Sequence, residues 1–245
     1  MFRPTLWPTV FTIPALIVLI GLGAWQVERL HWKEGLIAER TAWLGAEPIA
    51  LPPAGATLSD EKMAALDYRH AMATGEFLHD RELYLAARTM AGAVGYQIIT
   101  PLRQADGGIV LVNRGWIPDN LKDPAARPEG QIAGIVTIDG VIRAPGRQHW
   151  LQPDNAPADN IWFWTDLPAM AAAVKASDQV APVFLEAGPA ANPGGFPIGG
   201  QARVNLPNDH LQYAITWFSL AMALTVIYVI YHRRPGGADG TSKQT

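Results

Sequence analysis

Residues 6–27 read LWPTVFTIPALIVLIGLGAWQV, residues 211–231 read LQYAITWFSLAMALTVIYVIY, and neither stretch contains a charged side chain. A helix of about 20 residues spans the hydrocarbon core of a bilayer. Aromatic residues stand towards the ends of both stretches, where membrane proteins place them at the interface with water. The two stretches therefore predict two transmembrane helices, with room between them for a large domain.

Each apolar stretch has an alternative interpretation. The first could be a cleaved signal peptide, with Arg3 as its charged start and Gly23-Ala24 as its small-residue cleavage site. Its length, and Pro14 well inside it, favour a membrane helix. The second could be the buried core helix of a soluble protein, but a basic run follows directly from residue 232, which is typical of the end of a membrane span.

Two membrane helices would place both chain ends on the same side. The short end segments carry a net positive charge, and the positive-inside rule then predicts that both are cytoplasmic. We expect the inner (plasma) membrane of a bacterium, with the large domain in the periplasm, or the equivalent inner membrane of a mitochondrion. The predicted boundaries are residues 1–5 for the N-terminal tail, 6–27 for the first helix, 28–209 for the external domain, 210–231 for the second helix and 232–245 for the C-terminal tail.

The composition limits the class of function. The chain has 245 residues, of which 49% are hydrophobic and 17% charged, and a formal net charge of −3. Such a chain is too apolar to be disordered, and it lacks the basic footprint of a nucleic-acid-binding protein. Because it contains no cysteine, it has no disulfide, thiolate metal site or cysteine nucleophile.

The region between the apolar stretches predicts more strands than helices. The first helix should continue to near Gly45, and Ser59 and Asp166 are expected to cap two short helices. Residues 95–102 and 109–117 flank a glycine-containing loop, which predicts a hairpin. Further strands are expected at residues 68–77, 83–90, 135–142, 162–165 and 183–186. The predicted fold class is an α+β membrane protein, whose two transmembrane helices flank an antiparallel, barrel-like or meander β domain with short helices.

Signatures of enzymes are absent from the sequence. It contains no G-x-S-x-G, no phosphate-binding loop and no H-E-x-x-H. No two of its six histidines have the four-residue spacing that builds a metal site on a helix. We therefore expect a protein that is not an enzyme.

His210 occupies a position that suits a ligand. It stands at the start of the second apolar stretch, where a helix would enter the membrane. Tyr213, Ala214 and Trp217 follow at spacings of three, four and seven residues, so they share its helical face. This face would offer an iron ligand, a small residue that admits a flat ring, and aromatic rings to stack on it. The alternative is an interfacial histidine without a ligand.

Five sequence blocks, in order along the chain, resemble the Surfeit-locus family of cytochrome c oxidase assembly factors. The blocks are LGAWQVERLHWK (22–33), GYQIITPL (95–102), VLVNRGWIP (110–118), PDNAPADNIWFWTDL (153–167) and LPNDHLQYAITW (206–217). The resemblance implies a non-enzymatic assembly factor that binds haem a as a transient cargo at the membrane interface. It also implies that the protein aids insertion of this haem into the catalytic subunit of the oxidase.

The resemblance also implies partners and site residues. His210 matches the histidine that is the family's candidate axial ligand of the haem iron. The implied partners are the catalytic subunit of cytochrome c oxidase, the machinery of haem a synthesis and the lipid bilayer, without nucleic acid. The other residues expected to contact haem are Tyr213, Trp217, Trp25, Gln26 and Arg29.

Several of these assignments have a structural alternative. Trp25 could anchor the first helix at the membrane surface, and Arg29 could contact lipid phosphates instead of haem propionates. Gly21 and Ala24 are predicted to allow close contact between the two helices. Trp162 and Trp164 could be exposed anchors for an oxidase subunit. The alternative function is a membrane-anchored chaperone that stabilises an oxidase subunit without binding haem.

Overall fold

The computed structural model describes residues 4–176, 179–202 and 208–233. This part of the chain forms α1 (Leu6–Leu44), α2 (Asp60–Leu66), β1 (His70–Phe77), β2 (Leu83–Met90), β3 (Ala93–Gln104), β4 (Ile109–Pro118), β5 (Ile135–Arg143), β6 (Ile161–Trp162), α3 (Leu167–Ala173), β7 (Val180–Ala187) and α4 (His210–His232). It divides into two compact units, a helix unit (the described residues of 1–38 and 205–245, which are 4–38 and 208–233) and a β domain (the described residues of 39–204, which are 39–176 and 179–202). The domain boundaries predicted from the sequence mark where the chain would enter and leave a bilayer. They stay predictions, because the structure contains no membrane.

Five strands of the β domain close into a barrel. Their order is β1-β5-β7-β4-β3, and β1 pairs with both β5 and β3, so that the sheet returns onto itself. β2 and β6 extend the sheet beyond β3. The diameter of a barrel grows with its number of strands, and side chains fill the interior of this small one. They are Ala71, Ala73, Phe77, Leu102, Val110, Val112, Ile142, Val183 and Leu185. The predicted β-rich, barrel-like domain is thereby confirmed.

Two strand pairings correct the prediction of an antiparallel sheet. β4 pairs with β7, and β2 pairs with β6, in the parallel sense. Parallel neighbours need a long crossover connection, and the segment between β4 and β7, which contains β5, β6 and α3, supplies it. The predicted hairpin is found as β3 and β4, which pair antiparallel.

The outer face of the barrel carries a second apolar core under α3. Asp166 caps α3 as predicted, because its Oδ1 accepts a hydrogen bond from the backbone N–H of Ala169 at 3.2 Å. Met170 and Val174 then pack on Trp162, which is fully buried. The prediction that Trp162 is an exposed anchor for a partner is therefore wrong, and Trp164 is itself only partly exposed.

Glu82 is a buried carboxylate between two buried arginines. Arg127 donates to both of its oxygens, at 3.3 Å to Oε1 and 2.5 Å to Oε2, and Arg114 Nη1 lies 3.6 Å from Oε1. All three side chains are about 2% exposed. Burial by itself raises the pKa of Glu82, but neighbouring His79 and the charges of Arg127 and Arg114 prevail and lower this pKa to about 2. The two buried guanidinium groups therefore share an ionised counterion.

The helix unit consists of an antiparallel pair. Thr9 Oγ1 lies 2.7 Å from the hydroxyl of Tyr228, whereas Gln26, further along α1, contacts His210 at the start of α4. As the residue number increases along α1, the residue number of the contact on α4 decreases, so the two helices are antiparallel. The first described residues of the unit and its last ones accordingly lie at the same end of the pair.

Small residues allow α1 and α4 to approach closely. Gly23 is buried, and a Cβ atom at this position would lie 2.6 Å from the ring of Phe218. Ala214 is buried on α4. A Cβ on Gly21 would meet open space, and Ala24 is exposed. The prediction that Gly21 and Ala24 form the contact is therefore wrong, since the contact face of α1 centres on Gly23.

Protein atoms leave most of the apolar surface of α1 and α4 uncovered. Only 11% of the most apolar 18-residue window of each helix is buried. The exposed side chains include Leu6, Phe11, Ile17, Met222 and Ile230. This exposure does not fit the alternative of a buried core helix, and both helices are long and apolar enough to cross a membrane.

Gly23→Leu should weaken the pairing of α1 and α4, because a branched side chain cannot fit beside the ring of Phe218. Overpacking of a close contact costs about 1–3 kcal/mol, so the thermal unfolding midpoint of the detergent-purified protein should fall. Gly21→Leu is the matched control, and its midpoint should stay near that of the wild type. Equal midpoints for the two variants would contradict the contact face assigned here.

Glu82→Gln should destabilise the β domain by about 3–5 kcal/mol, because it leaves two buried arginines without their counterion. Urea unfolding at neutral pH measures this loss. Asp60→Asn removes an ion pair with Arg147 in which both side chains are largely exposed, and it should have no measurable effect. A Glu82→Gln protein as stable as Asp60→Asn would disprove the role of the carboxylate.

The stability of the wild-type protein should decline in acid through Glu82. The ordinary pKa of this residue is 4.5, and its pKa in the folded protein is about 2. Between these values the unfolded chain takes up a proton that the folded chain does not, so the free energy of unfolding falls as the pH falls. Unfolding curves recorded from pH 5 to pH 2 should show a smaller decline for Glu82→Gln than for the wild type, and identical declines would refute this explanation.

Candidate functional site

His210, the first residue of α4, is held by a side chain of the other helix. Its Nδ1 atom lies 2.7 Å from Oε1 of Gln26. An amide oxygen can only accept a hydrogen bond, so Nδ1 carries the proton and donates it. In the neutral imidazole, the lone pair that can bind a metal then belongs to Nε2. The contact thus selects the tautomer of His210 and orients its ring.

The packing of the helices brings these two side chains together. Gly23 and Gln26 are three residues apart on α1, and His210, Ala214 and Phe218 follow at intervals of four on α4, so each set shares one helical face. Because Gly23 has no side chain, α1 approaches Phe218 closely. Gln26, which is only 9% exposed, is thereby placed within hydrogen-bond distance of His210.

The other predicted haem contacts are on the same two helices, in different settings. Trp25 and Tyr213 are 53% and 54% exposed, and Trp217 is partly buried. The guanidinium of Arg29 lies 3.8 Å from the ring centroid of Trp32 on its own helix. Of the six predicted residues, the structure thus joins His210 and Gln26 by a direct hydrogen bond, and the haem contacts of all six stay predictions.

The opposite end of the helix unit holds a second histidine in a different setting. His232 is buried, its Nδ1 lies 2.8 Å from the carbonyl oxygen of Tyr228, and its Nε2 lies 2.9 Å from Oγ1 of Thr5. A carbonyl oxygen only accepts, so Nδ1 donates to Tyr228 and Nε2 accepts from the hydroxyl of Thr5. Both ring nitrogens are therefore engaged within the protein. The sequence analysis used His232 only as part of a basic tail and missed this contact.

The β domain contains a polar cavity that the sequence analysis also missed. It has a volume of about 570 Å³ and is lined on one side by Arg88, Asn113, Arg143 and Glu186. Burial raises the pKa of Glu186, although the positive charges of Arg143 and Arg88 act in the opposite direction. These residues come from four strands, so no local motif in the sequence indicates that they meet.

Metal-binding clusters of side chains are absent from the described residues. Within residues 4–176, 179–202 and 208–233, no group of three or more histidine, aspartate or glutamate side chains is arranged to hold an ion.

Comparisons with known proteins cover most of the chain. The model of the SURF1 family matches residues 13–222, which include Gln26, His210 and the whole β domain. The SURF1-like protein of Monosiga brevicollis is 40% identical over 233 residues, which cover 90% of this chain and 85% of the relative. Surfeit locus protein 1 of Mus musculus is 37% identical over 231 residues (88% and 72%), and that of Homo sapiens is 37% identical over 228 residues (86% and 73%). The chain therefore belongs to the SURF1 family.

Proposed function

We propose that this protein is a membrane-anchored assembly factor of haem–copper cytochrome c oxidase, which holds haem a at the membrane surface and passes it to the catalytic subunit. The observation that carries the proposal is the hydrogen bond between Gln26 and His210. Membership of the SURF1 family supports the same function. The proposal includes no catalytic step.

In this proposal α1 and α4 cross the inner membrane of a bacterium, or the equivalent membrane of a mitochondrion. Their length and their uncovered apolar surface support this placement. The antiparallel pairing supports a topology with both chain ends on one side. The positively charged end segments favour the cytoplasmic side for both ends, and the β domain then faces the periplasm or the intermembrane space.

The donor set at His210 fits haem iron. A porphyrin supplies four nitrogen ligands of its own, so one histidine is enough to add an axial bond. The Gln26 amide engages Nδ1 and leaves Nε2 for the iron. Such outer partners of a ligating histidine fix its orientation and raise its basicity. A single axial bond at the membrane surface also suits a cargo that must be released again.

The surface around His210 suits the rest of the haem. Tyr213 and Trp217 follow His210 on α4 and offer aromatic rings, and Trp25 adjoins Gln26 on α1. Arg29 offers a cation that pairs well with the carboxylates of haem propionates. The lipid around the two helices would accept the isoprenoid tail of haem a. The proposed partners are accordingly the haem a synthesis machinery, which supplies the cargo, and the catalytic subunit of the oxidase, which receives it.

His210→Ala should abolish haem binding, because no other group at this site replaces the axial nitrogen. The test is the absorption spectrum of the detergent-purified protein after co-expression with haem a synthesis. His31→Ala is the matched control, since His31 also lies on a helix of the helix unit but is largely exposed, and it should keep the full spectrum. Full occupancy in His210→Ala would overturn the assignment of the ligand.

Gln26→Leu should weaken haem binding without abolishing it. Loss of an outer partner typically costs about 10–100-fold in metal affinity, so haem titration should show a dissociation constant raised by about this factor. An affinity equal to that of the wild type would show that Gln26 does not position His210.

The same purified protein distinguishes between the two proposed functions, a haem carrier and a subunit chaperone. The wild-type protein should contain haem a when it restores oxidase activity to a strain that lacks this gene. A haem-free wild-type protein that still restores full oxidase activity would contradict the haem carrier and favour the subunit chaperone.

A further inference from the structure

We propose that the outer face of the β domain carries a binding site for a small organic carboxylate, centred on Arg88. The site is the polar cavity of about 570 Å³ described above. Its volume lies in the range of about 300–1,000 Å³ that is usual for small-molecule sites. All of its lining residues lie within residues 39–204, so the proposal does not depend on haem binding by the helix unit.

The cavity arises where the outer face of the sheet changes from apolar to polar. Ile99, Leu111 and Phe184 belong to the apolar core under α3. Two residues away along the same strands, and therefore on the same face, stand Gln97, Asn113 and Glu186. Gln97 lies on β3, Asn113 on β4 and Glu186 on β7, and these three strands are adjacent in the sheet. β4 and β7 change from apolar to polar at the same step, since Leu111 pairs with Phe184 and Asn113 with Glu186. β3 changes one pair later, since Ile99 lies opposite Asn113. The cavity therefore has an apolar part and a polar part.

A bulge in β2 directs Arg88 towards this cavity. The register between β2 and β3 shifts between Leu85 and Arg88, and Ala87 has a φ of +55°. A left-handed conformation in a residue other than glycine is strained and persists only where the surrounding structure imposes it. Bulges of this kind re-aim side chains next to functional sites. The indole N–H of Trp116 donates to the carbonyl oxygen of Arg88 at 3.0 Å and holds the backbone there.

Arg88 has a buried donor that a ligand can satisfy. Its Nη2 donates to the carbonyl oxygen of Phe163 at 3.3 Å, whereas its Nε is buried and has no partner among the described residues. A buried donor left without an acceptor costs free energy, and the cost is larger for a charged group. Because Nε is closed to solvent in this structure, a ligand oxygen would satisfy it only after the side chains around it shift.

The charges around the cavity favour a carboxylate. Arg143 donates to Asp67 at 3.0 Å and to Glu186 at 3.1 Å, so its charge is already compensated. Within the described part of the chain, no carboxylate lies within 4 Å of the Arg88 guanidinium. Glu186 also interacts electrostatically with Arg88, at longer range. Two arginines, Arg88 and Arg143, thus line the cavity against one carboxylate, Glu186. This excess of one positive charge among the lining residues matches a singly charged carboxylate, which an arginine binds in a planar, two-pronged geometry. The apolar part, with Leu85 and Phe184, suits an organic body.

Titration calorimetry on the full-length protein in detergent tests the proposal, with benzoate as the probe and neutral, isosteric benzamide as its control. Benzoate should bind at least tenfold more tightly than benzamide. Arg88→Gln should weaken benzoate binding at least tenfold, because it removes the cation. Gln97→Glu should have a similar effect, because it places a carboxylate of nearly unchanged shape inside the cavity.

Two control variants complete the experiment. Arg147→Gln removes a largely exposed arginine outside the cavity, and His210→Ala removes the proposed haem ligand; both should bind benzoate as the wild type does. If Arg88→Gln fails to fold, the isosteric Gln97→Glu variant still decides the question. The proposal is overturned by equal affinities for benzoate and benzamide, by absence of benzoate binding at millimolar concentration, by tighter binding of inorganic phosphate than of benzoate, or by unchanged affinity in Gln97→Glu.

Discussion

Closure of the barrel through β1 is the constraint on which the arrangement of the β domain depends. Gly75 takes part in both pairings of this strand, opposite Val136 of β5 and Gln104 of β3. A Cβ atom there would collide with the carbonyl oxygen of Arg103, so a side chain would force the two strands apart. Apolar side chains fill the closed interior, whereas the polar cavity around Arg88 lies on the outer face, beside the apolar core under α3.

The helix unit is stabilised by a different balance of forces. In the membrane proposed for α1 and α4, burial of apolar surface would give no net drive for the two helices to associate, and close packing and polar contacts would have to supply it. Gly23 provides the close packing, and the contacts of Gln26 with His210 and of Thr9 with Tyr228 provide the polar part. The side chain proposed to hold the cargo thus also holds the helices together, so its orientation is inseparable from their packing.

Local patterns in the sequence predicted the helices and strands. Features that depend on contacts between distant parts of the chain, such as strand pairing and the contact face of a helix, could not be predicted from it. The glycine-containing loop predicted the hairpin of β3 and β4, and Asp166 predicted the start of α3. The parallel pairing of β4 with β7 depends on a crossover that no local pattern encodes. The small residues of α1 predicted a close contact with the other helix. Which of them forms the contact, Gly23 or Gly21, depends on how α1 is rotated about its own axis. Gln26 and His210, which are 184 residues apart, were both expected to contact haem, but their hydrogen bond was not predicted.

The hydrogen bonds at the two ends of the helix unit set where His210 lies along the axis of the helix pair. His210 and His232 are 22 residues apart on α4, and their partners Gln26 and Thr5 are 21 residues apart. Thr5 directly precedes α1, and the two spacings, which differ by one residue, correspond to about 32–33 Å of helix, close to the thickness of a bilayer core. A slip of one helix past the other by a single turn would break both contacts at once. The two contacts therefore fix the position of His210 Nε2 along the axis of the helix pair.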